Sequence, residues 1–394
     1  MLDGILAKNY GYTETSIKQL RKIYSLFRII KILKALRKPS KKYYIRVNTL
    51  KTTQEEVISF FLEKGIKAYP VPYLNDTVFI EVKGPCKLTK HKKYVIADKA
   101  AAESVYMGAN LYGPGVLKAT NVREGDTVSI YSPQGHLVAE GIARMDGTEM
   151  MVKKRGLAVE TLKSVYIIPH IRELELYKKG FIHDQSLPSI LSIHILNPYE
   201  DWKIVDMCAG PGGKTTLAAQ LMKNRGNIMA IDRTERKINR ITENCERLGI
   251  KNVKTYVMDS RHVSEKSEFY DADAVILDPP CSALGVRPKL YYDRKLNEIN
   301  ALVRYQKQFV KQAIKILKKG GLLLYTTCTL TLDENEENIL WTIKNFKTRI
   351  LPQKIFIGAK GIDIVSDLRY TQRFEPDKHD TPGFYIALIK KLDD

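Results

Sequence analysis

Ala274-Val275-Ile276-Leu277 is an unbroken apolar run that leads directly into Asp278-Pro279-Pro280-Cys281. Such a run suits a strand covered on both faces, as in a parallel sheet flanked by helices. Two successive prolines cannot extend the sheet's hydrogen-bond ladder, so the strand must stop there and its exit is fixed. The stretch therefore predicts an α/β sheet with Asp278 and Cys281 at a strand's carboxyl end, the edge at which open sheets bind ligands. Taken alone it reads first as a turn with a capping Asp and a buried structural Cys.

The surroundings argue for chemistry. Beyond Ser192 the pattern alternates between strand and helix, the signature of a doubly wound sheet. Its first unit runs Lys203-Ile204-Val205-Asp206-Met207, then Cys208-Ala209-Gly210-Pro211-Gly212-Gly213-Lys214-Thr215, then a helix beginning near Thr215. Glycines let a ligand approach the backbone, and the helix start presents free N–H groups to it. Gly213-Lys214-Thr215 spells the end of a phosphate-binding loop, but that motif needs glycine where Cys208 stands. A dinucleotide fingerprint starting at Gly210 fails in the same way at Thr215. A nucleoside ligand of another kind remains.

The second strand, Asn227–Ile231, ends at Asp232, where a carboxylate can accept hydrogen bonds from a ribose diol. The third, Val253–Val257, leads to Asp259, and the fourth delivers Asp278. Three carboxylates thus converge on one edge of the sheet. The fifth strand, Gly321–Tyr325, ends in Thr326-Thr327-Cys328-Thr329 and brings a second thiol to the edge that holds Cys281. Ile238, Ile241, Cys245 and Leu248 share one helix face and read as core. Asp333 to Asn338 reads as a capped helix start whose acids favour the helix dipole. His379, alone in the tail, reads as a surface residue rather than a catalytic base.

The first half of the chain has a different texture. Thr15 to Lys38 predicts one amphipathic helix with Ile17, Leu20, Ile23, Tyr24, Phe27 and Ile30 on one face, ended by Pro39. Its basic residues form either a solvated face or part of an RNA surface. Tyr43 to Leu50 predicts a strand; Thr52 and Thr53 with Glu55 and Glu56 offer overlapping capping boxes for a helix closing near Gly65; strands follow near Ala68 and Val78. From Lys92, short strand-like runs punctuated by glycine predict a compact β barrel, and Lys153-Lys154-Arg155 adds charge at its far end. The chain carries 64 Lys and Arg against 44 Asp and Glu, a formal charge of +20 with an ordinary apolar content of 44%. That excess points to a polyanionic partner, nucleic acid before membrane. Five scattered cysteines with no C-x-x-C pair argue against zinc and disulfides and for a reducing, intracellular setting. No apolar run reaches the roughly 18 residues a membrane span needs.

Met207 to Thr215, Asp278 to Ser282 and Thr327-Cys328-Thr329, with Asp232 and Asp259 in register, closely resemble the Sun/NOP family of RNA cytosine-C5 methyltransferases, which use S-adenosylmethionine. Arg46-Val47-Asn48-Thr49-Leu50 is similar to a string in that family's RNA-recognition-like amino-terminal lobe. Asp98-Lys99-Ala100-Ala101-Ala102, Met107-Gly108-Ala109, Pro114-Gly115-Val116 and Gly125-Asp126 with Val128 resemble a PUA RNA-binding domain. Its insertion after the lobe looks like the subgroup that methylates tRNA at the acceptor end, position 72. Pro279, Ala283-Leu284 and Thr329 depart from the commoner alanine, glycine and serine of relatives. The resemblance implies an α/β architecture: a helical and RNA-recognition-like lobe over 1–91, a β-barrel PUA domain over 92–168 and a Rossmann-like methyltransferase domain over 169–394. It further implies a cytoplasmic, monomeric enzyme acting on RNA, without metal or membrane.

The family's chemistry agrees with the residue types. C5 of cytosine is a poor nucleophile until a thiolate adds to C6. By resemblance Cys328 is that nucleophile, Asp278 bonds and protonates N3, and Cys281 helps remove the C5 proton so that the enzyme can leave. A free thiol is only a few per cent ionised at neutral pH, so a lysine or helix-terminus charge beside Cys328 is expected. The family assigns Cys208, Ala209, Gly210, Pro211, Gly212, Gly213 and Lys214 to the methionine and ribose part of the cofactor. It assigns Asp232, with Lys237, to the ribose hydroxyls and Asp259 to the adenine amino group, with Asp278 also bordering the cofactor. The target base must leave its stack, which costs least at the end of an acceptor stem, and a PUA module can grip the adjacent single strand. Ribosomal RNA is the alternative substrate. An amino-group methyltransferase shares Asp-Pro-Pro but needs neither thiol, and a non-catalytic RNA-binding assembly factor would keep the fold without the reaction.

Overall fold

Ala274 to Leu277 lie at the centre of the sheet that their apolar run predicts. The computed structural model describes residues 2–363 and 366–393. Strands Val253–Val257, Asn227–Asp232, Lys203–Asp206, Ala272–Leu277 and Leu317–Thr327 lie side by side in that order, all parallel. Phe384–Lys391 then adds antiparallel to Leu317–Thr327. Successive residues of the central strand enter opposite cores: Ala274 and Ile276 pack on one face with Ile204 and Leu324, Val275 and Leu277 on the other with Val205 and Leu323. That is why the run has no polar alternation. Strand order reverses between Lys203–Asp206 and Ala272–Leu277, which opens a crevice at their carboxyl ends.

The amino-terminal lobe is a four-stranded antiparallel sheet ordered Ile182–Asp184, Lys42–Val47, Leu74–Glu81, Ala68–Val71, covered by helix Gln54–Glu63. Of the overlapping capping boxes, the one that forms is Thr53 with Glu56, while the Thr52 hydroxyl donates to the same Glu56. Ile182–Asp184 lies beyond the barrel in sequence, so the chain returns to the lobe before it enters the large sheet. The barrel itself has six strands ordered Leu111–Tyr112, Leu157–Ser164, Leu137–Ala143, Thr127–Tyr131, Tyr94–Ala97, Val116–Thr120.

The single helix expected over Thr15 to Lys38 is two helices, Glu14–Arg21 and Leu26–Leu36, preceded by Leu2–Tyr10. Ser25 makes the break: its backbone is extended and its hydroxyl accepts the Arg28 N–H, the N-cap role for which serine is favoured. The break resets the phase of the apolar stripe. Phe27, expected on the buried face, is 67% exposed with Lys31 over its ring. Ile17, Leu20, Ile29 and Ile32 are buried and share one core with Leu284, Tyr292 and Leu330, which belong to the segments following Cys281 and Cys328.

The string Arg46 to Leu50 joins the lobe to the large sheet. Arg46 is fully buried and donates to Gln185 Oε1 (3.1 Å), the Gly213 carbonyl (2.8 Å) and Thr216 Oγ1 (3.0 Å). Among the described residues no carboxylate is paired with it, and burial pulls its pKa down to about 10. Asn48 donates to the Gly180 and Leu248 carbonyls, and Gln220 reaches back to the Val47 carbonyl. Arg46→Leu leaves three acceptors unmet and is expected to lower stability by about 1–3 kcal/mol, seen as a lower urea midpoint; an unchanged midpoint would show that the junction is not held by this side chain.

Candidate active site

The first strand ends at Asp206, which is buried and accepts the Thr215 hydroxyl at 2.7 Å. Burial pushes its carboxyl up to about 7, against the pull of that hydroxyl and of Lys214. Between these residues the loop arches into the crevice, and its helix begins at Gly213, two residues before the position expected. Gly212 has φ +102°, a conformation that glycine adopts at little cost. Gly210 is glycine for a different reason. A Cβ there would lie 2.7 Å from the Lys237 Cβ and 2.9 Å from Asp232 Oδ2, closing the space between the loop and the second strand.

The three carboxylates arrive as the strand ends predict. Asp232 accepts the Gly210 N–H at 3.3 Å, Lys237 Nζ at 3.1 Å and the Thr234 N–H and hydroxyl. Asp259 is held by the Arg261 guanidinium at 2.6 Å, which keeps its carboxyl below the usual range. Asp278 accepts Lys214 Nζ at 2.5 Å on one oxygen and the Thr326 hydroxyl at 3.1 Å on the other. All three border one cavity of about 250 Å³, together with Cys208, Gly210, Lys237, Cys281 and Cys328. Ala209, Pro211, Gly213 and Lys214 line an adjoining cavity of about 170 Å³ that shares Cys208, Gly210 and Asp278 with the first. Gly212 lines neither and acts through its backbone. The smaller cavity shares Asp184 and Gln185 with a further cavity of about 210 Å³, which in turn shares Tyr43, Met107, Ile168 and Asp184 with one of about 610 Å³ that is lined also by Asn110 and Tyr112.

Cys281 and Cys328, from neighbouring strand ends, stand with their sulfurs 3.3 Å apart. The hydrogen bond to Cys328, then burial, push the Cys281 thiol well above its ordinary value, with smaller pushes from Glu334 and Asp278. The lysine nearest to the one expected beside Cys328 is Lys289, largely buried, on which burial, Lys99 and Glu103 act more strongly than the two sulfurs do.

What holds the pair was not visible in the spacing. The run Asp333 to Asn338 does not simply cap a helix in solvent, because Glu334, Asn335, Glu336 and Asn338 are fully buried. Glu334 Oε1 accepts the Ser282 N–H (2.8 Å) and Gln306 Nε2 (2.9 Å), and Oε2 accepts the Thr331 hydroxyl (2.8 Å). Gln306 also donates to the Pro280 carbonyl at 3.0 Å. The Ser282 and Thr329 hydroxyls meet at 2.6 Å, each beside one of the thiols. Tyr292 OH closes the brace on the Ser282 carbonyl. Glu336 pairs with Arg373 at 2.5 Å. Local pattern carries no signal for these roles, since each partner comes from elsewhere in the chain. His379 ends a short helix, its Nδ1 accepting the Glu375 N–H, and does not line the thiol cavity. Among the described residues no group of three or more His, Cys, Asp or Glu could hold a metal ion.

The arrangement offers a nucleophilic thiol beside a proton-carrying one, a carboxylate to grip a base edge, and a glycine cradle rimmed by acids for a nucleoside. Comparison with known proteins agrees. Residues 193–390 match the family model described as 16S rRNA methyltransferase RsmB/F, 93–165 the PUA domain and 13–87 the RsmF/B-like ferredoxin-like domain. A tRNA (cytosine(72)-C(5))-methyltransferase of Pyrococcus horikoshii is 46% identical over 98% of this chain and 99% of its own. The human tRNA (cytosine(72)-C(5))-methyltransferase NSUN6 is 29% identical, over 88% of this chain and 82% of its own. The crystal structure of NSun6 from Pyrococcus horikoshii with SFG, an analogue of S-adenosylmethionine, superposes with a TM-score of 0.90 at 44% identity, covering 98% of this chain and 100% of that one.

Glu334→Gln keeps the shape of the brace and removes its charge. Because the bond to Cys328 and burial raise the Cys281 thiol most and Glu334 adds a smaller push, alkylation of Cys281 by iodoacetamide should begin at slightly lower pH in this variant, and at lower pH still in Cys328→Ala. Peptide mass spectrometry across a pH series reads this directly; a Cys281 profile that stays with wild type in both variants would refute the coupling.

Proposed function

Because this chain belongs to the RsmB/F family of S-adenosylmethionine-dependent RNA cytosine-C5 methyltransferases, we propose that its target is cytosine 72, at the acceptor end of tRNA. The observation that carries this reading is the pair of thiols beside Asp278 on one cavity, with cavities that share lining residues in succession from there to the barrel. An amino-group methyltransferase needs no such pair.

In this reading the flipped cytosine lies between Asp278 and the sulfurs. Lys214 and Thr326 fix the Asp278 carboxylate, so that it meets the N3 edge of the base and leaves C6 facing Cys328. The Cys328 thiolate forms a bond to C6 while the carboxyl of Asp278, in its protonated form, gives its proton to N3, and C5 becomes an enamine-like carbon nucleophile. S-adenosylmethionine, when bound, supplies an electrophilic methyl group that C5 so activated can accept. Cys281 then helps to take the C5 proton, and the Cys328–C6 bond breaks to restore the aromatic base.

The cradle fits the cofactor. A Cβ at Gly210 would fill it, and the carboxylates of Asp232 and Asp259 stand on its rim where a ribose diol and an exocyclic amino group would meet them. Lys237, bonded to Asp232, orients that carboxylate. Cys208, Ala209, Pro211, Gly213 and Lys214 bound the methionine side. Residues 92–168 serve as the RNA grip, 1–91 with strand Ile182–Asp184 as the lobe, and the rest of 169–394 as the catalytic domain. Unpaired acceptor-end nucleotides would occupy the spaces between lobe and barrel, where Tyr43, Asn110 and Tyr112 present aromatic and amide groups. Both thiols and all three acids come from one chain, which supports action as a monomer. No helix among the described residues is long and apolar enough to cross a membrane, and we place the enzyme with its tRNA in the cytoplasm.

Incubation with methyl-labelled S-adenosylmethionine and unmodified tRNA or ribosomal RNA, followed by digestion and mass spectrometry, should find 5-methylcytosine at the acceptor end of tRNA. Label confined to ribosomal RNA would overturn the substrate. Cys328→Ala should lose at least about 1,000-fold in kcat while still binding tRNA. Cys281→Ala should instead accumulate a protein–RNA adduct that survives denaturing gel electrophoresis; free turnover without adduct would reassign that thiol. Asp232→Asn should raise KM for S-adenosylmethionine about tenfold with KM for tRNA unchanged.

A further inference from the structure

On the other side of the Cys281 turn lies a separate polar cavity of about 380 Å³, bordered by the cations of Lys99, Lys289 and Arg294, the carboxylates of Asp293 and Glu298, and Ser282, Ala283 and Tyr292, so that positive charge exceeds negative by one. Ala283 lines both this cavity and the one that holds the thiols, so a single turn divides them. Two of its three cations have loose partners: Lys99 lies 3.8 Å from Asp293, and Arg294 lies 3.6 Å from Glu298. Lys289 has none. It is only 6% exposed, yet among the described residues its ammonium makes no hydrogen bond and has no carboxylate within ion-pair distance; the Tyr292 ring at 5.5 Å is its nearest relief. Glu103, the carboxylate that attracts it, is occupied by the Leu290 N–H.

Lys289 is largely buried, yet its ammonium faces the cavity rather than being sealed in the core, and an unpaired cation held in that way is placed to meet an incoming charge. Burial, reinforced by Lys99, lowers the pKa of Lys289, so this site gains from an anion. The cavity is too polar for an apolar guest, and three cations converging on a small space match the oxygens of a phosphate. We propose that Lys289, with Lys99 and Arg294, binds the backbone phosphate adjoining the flipped cytosine. This rests on the RNA reading above and adds a subsite to it. Lys99 belongs to the barrel and Lys289 to the catalytic domain. One phosphate therefore touches both, and the barrel's hold on the strand is measured off directly against the sulfurs.

Lys289→Met keeps the length of the side chain and removes an unpaired buried charge, so it should fold with undiminished thermal stability. Its affinity for tRNA should fall about tenfold, and the plot of log affinity against log salt should be shallower by about 0.7–0.9. KM for S-adenosylmethionine should not move, and Lys289→Arg should recover most of the loss. In wild type, a neutral methylphosphonate in place of one of the two linkages flanking the target cytosine should cost a similar factor, and that cost should vanish in Lys289→Met. An unchanged affinity and salt slope in Lys289→Met, or no cost from either neutral linkage in wild type, overturns the subsite while leaving methyl transfer intact. Failure of the wild-type enzyme to methylate any RNA would sink the substrate reading and the subsite with it.

Discussion

The Glu334 carboxylate sits where two loops from different strands meet, and the spacing of the two sulfurs depends on it. It receives the Ser282 N–H from one loop and the Thr331 hydroxyl from the other, while Gln306 ties the same oxygen to the Pro280 carbonyl. A buried carboxylate is tolerable only when several donors meet it, and these donors are the parts that must not drift. The same charge bears on Cys281 and helps to keep that thiol protonated beside its neighbour. One group thus fixes the two loops that carry the sulfurs and adds to the push on one of them.

The large sheet was legible in the sequence because each of its signals is local. Four apolar residues and two prolines define a buried strand and its end, and a glycine loop followed by acids at successive strand ends defines a nucleoside crevice. Asp232, Asp259, Asp278, Cys281 and Cys328 accordingly reach one cavity. Less was legible where a residue acts through a distant partner. Glu334 looks like any helix-capping acid until Ser282 and Gln306 are placed against it. Lys289 looks like one more surface lysine in a basic chain. Ser25 divides a stretch whose apolar period suggested one helix, because an N-cap of ordinary composition outweighs a weakly specified phase.

The string Arg46 to Leu50 shows how a motif can be recognised and still be misunderstood from sequence. In a lobe that resembles RNA-recognition folds, an arginine and an asparagine invite assignment to RNA. Here both point inward, toward the carbonyls of Gly213, Gly180 and Leu248. The guanidinium contacts no carboxylate and is held by neutral acceptors, among them the first residue of the helix that follows the glycine loop. The lobe is therefore part of the cofactor site's foundation.

The amino-terminal helices share their core with Leu284, Tyr292 and Leu330. On the ribosome these helices emerge well before the surfaces that cover their apolar stripe. At roughly 5–20 residues per second, that is a wait of some tens of seconds. For that interval the nascent chain carries an uncovered hydrophobic face, and the loops that bear the two thiols settle only once the later segments have been made. Assembly of the site is thus a late event in the life of each molecule, and chaperone attention during translation is a natural consequence of where the first helices finally lie.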